Sequence, residues 1–172
     1  MDDQIIVRQF IEADAAQVRE LFIKVNRLLA PPSLKDAFET YIVNSMREEI
    51  DRISEYYRER RGSFWVAAID SKIVGTFGLE PSGPDAMELR RMYVDPDWRR
   101  RGIAGKMLLF VEDQCRANNV RQLDLSTSEI QLEALSFYRK SGFEFVREEI
   151  AEVANNKTIG GGIRRYHYKK DL

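Results

Sequence analysis

The pattern of apolar and polar positions divides the first third of the chain into one strand and two helices. Alternation over Ile5–Phe10 predicts a short strand. The apolar spacing becomes helical over Asp14–Leu29, which predicts a helix there. Pro31-Pro32 ends this helix because proline cannot continue it. Helical spacing resumes over Ser33–Arg61 and predicts one long helix, whose many charged residues indicate a solvated outer face.

The rest of the chain alternates between strand and helix patterns. Short apolar and β-branched runs predict strands at Phe64–Ile69, Ile73–Leu79, Met87–Val94, Val120–Leu125, Phe143–Ile150 and Ile163–Lys170. Helical spacing predicts helices at Arg101–Asn118 and Glu129–Ser141. Proline- and glycine-rich stretches predict loops at Pro81–Pro84 and Asn155–Gly162. Hairpins that precede a strand–helix–strand unit favour an α/β (mixed α+β) fold, with a mixed sheet covered by helices.

Composition narrows the classes of function. The length of 172 residues fits one domain, taken here as residues 1–172. No run reaches the ~18 apolar residues of a membrane helix, and the N-terminus lacks a signal-peptide pattern, so we expect a cytoplasmic protein without membrane attachment. A net charge of −1 gives no general attraction to nucleic acid. Cys115 and His167 are the only residues of their types, which excludes an internal disulfide and argues against a metal site.

The segment Arg99–Lys106 follows a predicted strand and opens a predicted helix. Its glycines, Gly102 and Gly105, let the backbone approach a ligand closely because they lack a Cβ. The first turn of a helix has N–H groups without partners and carries partial positive charge. Together with the basic side chains of the segment, these features predict a site for a pyrophosphate. The alternative is a basic helix start with a tight turn.

Two motifs resemble those of the GCN5-related N-acetyltransferases. Arg99–Ala104 is similar to the Arg/Gln-x-x-Gly-x-Gly/Ala signature of that family, and Ala134–Phe143 is similar to its Ala-x-x-Phe-Tyr-x-x-x-Gly-Phe element. The resemblance is strongest over Phe64–Val146, and Ser126–Tyr138 is more similar to the camello-like branch. It implies a mixed, mostly antiparallel sheet of about six or seven strands flanked by about four helices. It also implies transfer of an acetyl group from acetyl-CoA to an amine.

The resemblance further implies where acetyl-CoA would bind. In this family the strand before the turn separates from its neighbour, so the backbone at Met92 and Val94 would pair with the pantetheine arm. Backbone amides from Arg100 to Gly105 would hold the pyrophosphate. Many relatives carry Asn where this chain has Gln131. The expected acetyl-CoA-binding residues are Met92, Tyr93, Val94, Arg99, Arg100, Arg101, Gly102, Ile103, Ala104, Gly105, Lys106, Gln131 and Tyr138.

Acyl transfer from a thioester to an amine requires a neutral amine, close approach to the carbonyl and a thiolate that can leave. The resemblance implies direct attack without a covalent enzyme intermediate. Tyr138 is the candidate general acid, and an aromatic core residue is the alternative interpretation. Glu88 stands fourteen residues before Gly102, as the catalytic Glu does in histone-type members, and is the candidate base. The alternative for Glu88 is a structural ion pair with Arg90 or Arg91.

The sequence defines the binding site of the acceptor amine less well than the binding site of acetyl-CoA. By position, Leu28–Phe38 and Asn155–Gly162 should flank the open end of the expected active-site cleft. Asn155–Gly162 would then be either a lid over the acceptor or an ordinary hairpin loop. The alternative function is a non-catalytic acyl-CoA sensor that contacts a partner protein through Ser33–Arg61. An edge strand such as Ile163–Lys170 could pair across a homodimer.

Overall fold

The structure is a computed structural model, and it describes residues 4–172. Within these residues the strands are β1 (Ile5–Gln9), β2 (Ser63–Ile69), β3 (Lys72–Gly83), β4 (Ala86–Val94), β5 (Gln122–Ser128), β6 (Glu144–Ala151) and β7 (Ile163–Asp171). The helices are α1 (Ala15–Leu29), α2 (Lys35–Glu48), α3 (Ile53–Glu59), α4 (Ile103–Ala117) and α5 (Leu132–Lys140). Most elements lie within a few residues of the predicted positions because local spacing determines them.

The strands form one seven-stranded sheet in the order β1-β2-β3-β4-β5-β7-β6. Neighbours are antiparallel except β4 and β5, which are parallel because α4 carries the chain back between them. The predicted mixed, mostly antiparallel sheet is therefore confirmed. β4 and β5 pair only over Ala86–Glu88 and Gln122–Asp124, although β4 continues to Val94 and β5 to Ser128. Beyond Glu88 the two strands separate and leave a cleft in the middle of the sheet.

Helices cover both faces of this sheet. On one face α4 and α5 bury an apolar cluster to which they contribute Met107, Val111 and Leu135. On the other face α1, α2 and α3 form two further clusters, in which Phe22 and Tyr56 are almost inaccessible to solvent. Each side chain of this kind stabilises the fold by about 1.5–3 kcal/mol through burial. The cleft between β4 and β5 is therefore held between two well-packed helical layers.

The prediction of one helix over Ser33–Arg61 is wrong. α2 ends at Glu48, a short 3-10 turn spans Ile50–Arg52, and α3 begins at Ile53. At Glu49 the backbone leaves helical geometry (φ −138°, ψ −59°), and its carboxylate is fully buried. The apolar spacing continues through this break, so the spacing alone did not reveal it. The charged face of this segment is therefore not entirely solvated.

Two smaller expectations also differ from the structure. β3 extends through the predicted loop at Pro81 to Gly83, because its ladder with β4 continues to the pair Gly83–Ala86. β7 lies between β5 and β6, so Ile163–Lys170 is not at an edge of the sheet. The edge strands are β1 and β6, and a homodimer formed by strand pairing would use one of these.

Within residues 4–172, none of the helices is both long and apolar enough to cross a bilayer. The same residues contain no group of three or more His, Cys, Asp or Glu placed to hold a metal ion. The cytoplasmic location and the lack of a metal cofactor both stay predictions.

Candidate active site

The turn before α4 presents a row of backbone N–H groups. Arg100 and Gly102 both have left-handed backbone, with φ of 62° and 74°, and they turn the chain sharply into the helix. The first helical hydrogen bond runs from the N–H of Lys106 to the carbonyl of Gly102, at 3.0 Å. The N–H groups of the residues between these two therefore have no acceptor within the helix. They lie at the positive end of the α4 dipole.

The space in front of this turn is open. A Cβ added at Gly102 or Gly105 would meet no atom within 4 Å. By contrast, a Cβ at Gly78 would lie 2.3 Å from the Tyr57 hydroxyl oxygen. An anion can thus approach the N–H groups of the turn closely, and the dipole favours it there. The geometry fits the predicted pyrophosphate.

The basic side chains of the turn are directed to different neighbours. Arg99 pairs with Glu133 of α5 at 3.4 Å, and Lys106 donates from Nζ to a β1 carbonyl at 2.5 Å. The Arg101 guanidinium lies 4.6 Å from the centre of the Trp98 ring. The Arg100 side chain is exposed. Because the side chains diverge, the backbone N–H groups are the preorganised part of this turn.

β4 carries a bulge where it leaves β5. Arg91 has φ of 53°, its carbonyl accepts from Thr76 Oγ1 at 2.8 Å, and the β3–β4 register shifts beside it. Such a bulge bends a strand and redirects its edge. Over Met92–Val94 the edge of β4 that faces β5 has no strand partner. This free edge fits the expected pairing of the backbone at Met92 and Val94 with a pantetheine arm, while Tyr93 points to the packed face of α1.

Tyr138 and Gln131 both line the pocket between the separated strands. Burial raises the pKa of Tyr138 above its ordinary value, and the neighbouring phenol of Tyr93 raises this pKa further. The phenol of Tyr138 therefore keeps its proton to a higher pH than an ordinary tyrosine. The side-chain oxygen of Gln131 accepts from Thr127 Oγ1 at 2.8 Å and from the N–H of Ser128 at 3.2 Å. That oxygen thus secures the start of α5, and only the amide nitrogen of Gln131 is left for a ligand.

Glu88 lines the same pocket but is not deeply buried, since 27% of its side chain is exposed. Its carboxylate lies 3.7 Å from Arg90 Nε and 3.7 Å from Lys157 Nζ. The ion-pair alternative is therefore realised, with Lys157 rather than Arg91 as the second cation. The role of Glu88 as a base stays a prediction.

A buried charge cluster beside the pocket was missed by the sequence analysis. The Glu49 carboxylate accepts from Arg90 Nη2 at 2.9 Å, from Arg91 Nε at 3.0 Å and from the Tyr57 hydroxyl at 2.9 Å. Burial by itself raises the pKa of Glu49, but the charges of Arg91 and Arg90 outweigh burial and hold this pKa at about 2. One ionised carboxylate thus compensates two buried guanidinium groups, with Glu80 as a further partner of Arg90 at 2.7 Å.

A signal for this cluster was present in the sequence. Glu49 follows Ile42 and Ser45 and precedes Ile53 at helical spacing, so it falls on the inward stripe of its segment. A charged residue on such a stripe indicates a buried partner of opposite charge. The sequence does not say which of its 27 lysines and arginines that partner is.

The cluster also holds the loop between β6 and β7 over the pocket. Arg91 Nη2 donates to the carbonyl of Asn156 at 2.5 Å, and Asn156 Nδ2 donates to the Tyr56 hydroxyl at 3.1 Å. Asn156, Lys157 and Ile159 line the pocket together with Leu29 and Phe38, so Leu28–Phe38 and Asn155–Gly162 flank it as expected. The cavity volume of the pocket is about 100 Å³, and the pocket is open to solvent on one side. Movement of the loop as a lid stays a prediction.

Comparison with known proteins agrees with this geometry. The model of the Acetyltransferase (GNAT) family matches residues 31–143. The probable N-acetyltransferase camello of Xenopus tropicalis is 35% identical over 124 residues, which are 71% of this chain and 57% of that protein. The N-acetylaspartate synthetase of Xenopus tropicalis is 33% identical over 104 residues, 59% of this chain and 38% of that protein. The chain thus spans little more than half of the first relative and less than half of the second.

A solved structure has the same fold over nearly the whole chain. The PaiA N-acetyltransferase of Thermoplasma acidophilum, in complex with coenzyme A, superposes with a TM-score of 0.73 and 19% identity, over 98% of this chain and 99% of that one. Because the family model covers more than half of the sequence, the chain belongs to the Acetyltransferase (GNAT) family. The predicted family is confirmed. The names of these relatives describe acyl transfer and give no support to the sensor alternative.

Proposed function

We propose that this protein is an N-acetyltransferase that moves the acetyl group of acetyl-CoA to an amine. The observation that carries the proposal is the open turn at Gly102, which leads from β4, the strand that borders the cleft, into α4. In a member of the GNAT family, this arrangement fits a long thioester carrier with its diphosphate at a helix start. Tyr138 lies in the wall of the same cleft.

The chain supplies binding and orientation along this path. Backbone N–H groups from Arg100 to Gly105 hold the pyrophosphate, and the free edge of β4 at Met92–Val94 pairs with the pantetheine amides. Bound acetyl-CoA supplies the activated thioester. The acceptor enters from the side of α2 and the β6–β7 loop, whose residues line the pocket. Holding both reactants in one pocket lowers the entropy cost of their encounter.

The transfer occurs by direct attack. The amine nitrogen forms a bond to the acetyl carbonyl carbon, and the bond between that carbon and sulfur breaks. Tyr138 donates its phenolic proton to the departing sulfur and regains a proton from solvent. The proton lost by the amine passes to Glu88 or to water. Tyr138 and Glu88 both line the pocket, and no covalent enzyme intermediate forms.

Two measurements test this proposal. Titration calorimetry with coenzyme A should show one site per chain, and a thiol-release assay with acetyl-CoA should show turnover with members of a panel of amines, amino acids and peptides. Failure to bind coenzyme A would remove the basis of the proposal. Binding without turnover of any amine would instead favour the sensor function.

A substitution at Gly105 isolates the carrier site. Gly105→Leu places a side chain in empty space at a helical position, so we expect the free energy of unfolding to rise by up to about 1 kcal/mol, since leucine favours helix over glycine. The same side chain blocks the approach to the turn, and the Kd for coenzyme A should rise by about 100-fold, as expected when a few charge-assisted hydrogen bonds are lost. Calorimetry and urea unfolding measure the two effects.

The control for this prediction lies on the same helix. Ala117→Leu changes an exposed position in the last turn of α4, far along the helix from Gly105, and should leave the coenzyme A affinity unchanged. Equal affinities of the Gly105 variant and the wild type would show that the carrier does not bind at this turn.

A further inference from the structure

The acceptor side of the pocket contains a guanidinium without a counterion. Arg165 of β7 lines the pocket and pairs in register with Ser128 of β5. Its Nη2 donates to Ser126 Oγ at 2.9 Å, which is a neutral partner. Among residues 4–172, no carboxylate lies within 4.0 Å of the Arg165 side chain. Most of the N–H donors of this guanidinium therefore remain available to a ligand.

The other cations that line the pocket are all paired. Arg90 lies 2.7 Å from Glu80, and Arg91 lies 3.0 Å from Glu49. Lys157 lies 3.7 Å from Glu88. The pocket therefore carries an excess of positive charge, and this excess is located on Arg165.

Burial makes this lone charge costly for the free protein. Desolvation has the largest effect on the pKa of Arg165 and lowers it. Tyr41, Tyr93 and the carboxylates of Glu149 and Glu88 act in the opposite direction, and neither carboxylate lies within ion-pair distance. Glu149 instead pairs with His167 Nε2 at 2.8 Å and with Arg147 at 3.4 Å. A partly desolvated guanidinium is stabilised strongly when an anion enters and pairs with it.

We propose that Arg165 binds the carboxylate of the acceptor and that the acceptor is a small amino acid. This inference rests on the proposed transferase function. One unpaired positive charge matches a singly charged carboxylate, and the planar guanidinium can bind both of its oxygens. Glu88 lines the same pocket, and its carboxylate, which lies 3.7 Å from both Arg90 and Lys157, is also near the position of the acceptor amino group in this arrangement. The β6–β7 loop, held by Arg91 and Asn156, covers this end of the pocket, which favours a small acceptor over an extended peptide.

The test compares acids with their amides. Free α-amino acids and the corresponding α-amides are assayed with saturating acetyl-CoA in wild type and in Arg165→Gln, Arg165→Lys and Arg164→Gln. In the wild type we expect kcat/KM for the best amino acid to exceed that for its amide by about 100-fold, because loss of one partner leaves a buried charge unpaired. Arg165→Gln should reduce this ratio to near unity, and Arg165→Lys, which keeps the charge but not the planar geometry, should give an intermediate ratio.

Arg164 is the matched control. It neighbours Arg165 in β7, is exposed, pairs with Glu148 at 3.3 Å and does not line the pocket, so Arg164→Gln should keep the wild-type ratio. The Kd for coenzyme A should be the same in all variants, and thermal unfolding confirms that each is folded. Equal rates for acids and amides in the wild type, or an acid preference that survives Arg165→Gln, would overturn the inference while leaving the transferase function intact.

A binding measurement tests the role of Arg165 even if acetyl transfer is too slow to assay. Calorimetry in the presence of coenzyme A should show that N-acetyl amino acids bind to the wild type and that their amides do not. Absence of this difference also overturns the inference. Loss of coenzyme A binding itself would instead count against the proposed function.

Discussion

Replacing Tyr138 with Phe should lower kcat by about 10²–10⁴-fold, while the Kd for coenzyme A changes little. The substitution removes only the hydroxyl, and the ring keeps its edge-on packing against Phe143 at 5.5 Å between ring centres. The lost rate therefore reports proton donation to the departing sulfur and not a change in the fold. Steady-state thiol release and calorimetry with coenzyme A measure the two quantities.

The control is Tyr166→Phe, because Tyr166 lies on β7 but does not line the pocket. It should retain the wild-type kcat. Since burial raises the pKa of Tyr138, the wild-type rate should not fall near pH ~10, where an ordinary tyrosine loses its proton. A Tyr138→Phe enzyme with an unchanged rate would exclude the phenol as the proton donor and leave Tyr138 as a core residue.

Replacing Glu49 with Ala should lower the free energy of unfolding by about 3–5 kcal/mol, because Arg90 and Arg91 would remain buried without this counterion. This loss is large beside the about 5–15 kcal/mol that stabilises an ordinary domain. Urea unfolding measures it. Glu48→Ala changes the adjacent carboxylate, which is 41% exposed and pairs with the surface residue Arg47, and should stay within about 0.5 kcal/mol of the wild type. Similar losses for the two variants would contradict the importance of the buried cluster.

The cluster also predicts a dependence on pH. The pKa of Glu49 is about 2 in the folded protein and 4.5 as the ordinary value, so folding favours the ionised form. Its contribution to stability is fully present above pH 4.5 and is lost as the pH falls toward about 2. The difference in unfolding free energy between wild type and Glu49→Gln should therefore shrink over this interval. A difference that stays constant down to pH 2 would show that Glu49 is not held ionised by its partners.

The cluster connects stability to the acceptor side of the site. Arg91 contacts Glu49 with one edge of its guanidinium and the carbonyl of Asn156 with another. Loss of Glu49 therefore frees a side chain that fixes the loop over the pocket. In variants that still fold, we expect kcat/KM for the acceptor to fall more than the affinity for coenzyme A, because the carrier turn lies on α4 and not on this cluster.

The sequence by itself determined the local parts of this protein. Alternation and helical spacing located the strands and most helices, and Gly102 with its basic neighbours located the start of α4. These features depend on residues close together in the chain, whose backbone preferences act before any tertiary contact. The resemblance of the second motif to the family also indicated Tyr138 and Gln131 as candidate site residues, and both line the cleft in the structure.

Only the tertiary structure decided the features that join distant segments. Glu49 and Arg91 are 42 residues apart in the chain, and no local pattern pairs them. The position of β7 inside the sheet, and with it the presence of Arg165 in the pocket, follows from the strand order, which the strand pattern leaves open. The physical reason is that the burial and pairing of a charge depend on what packs against it, and this is settled only when helices and sheet are assembled.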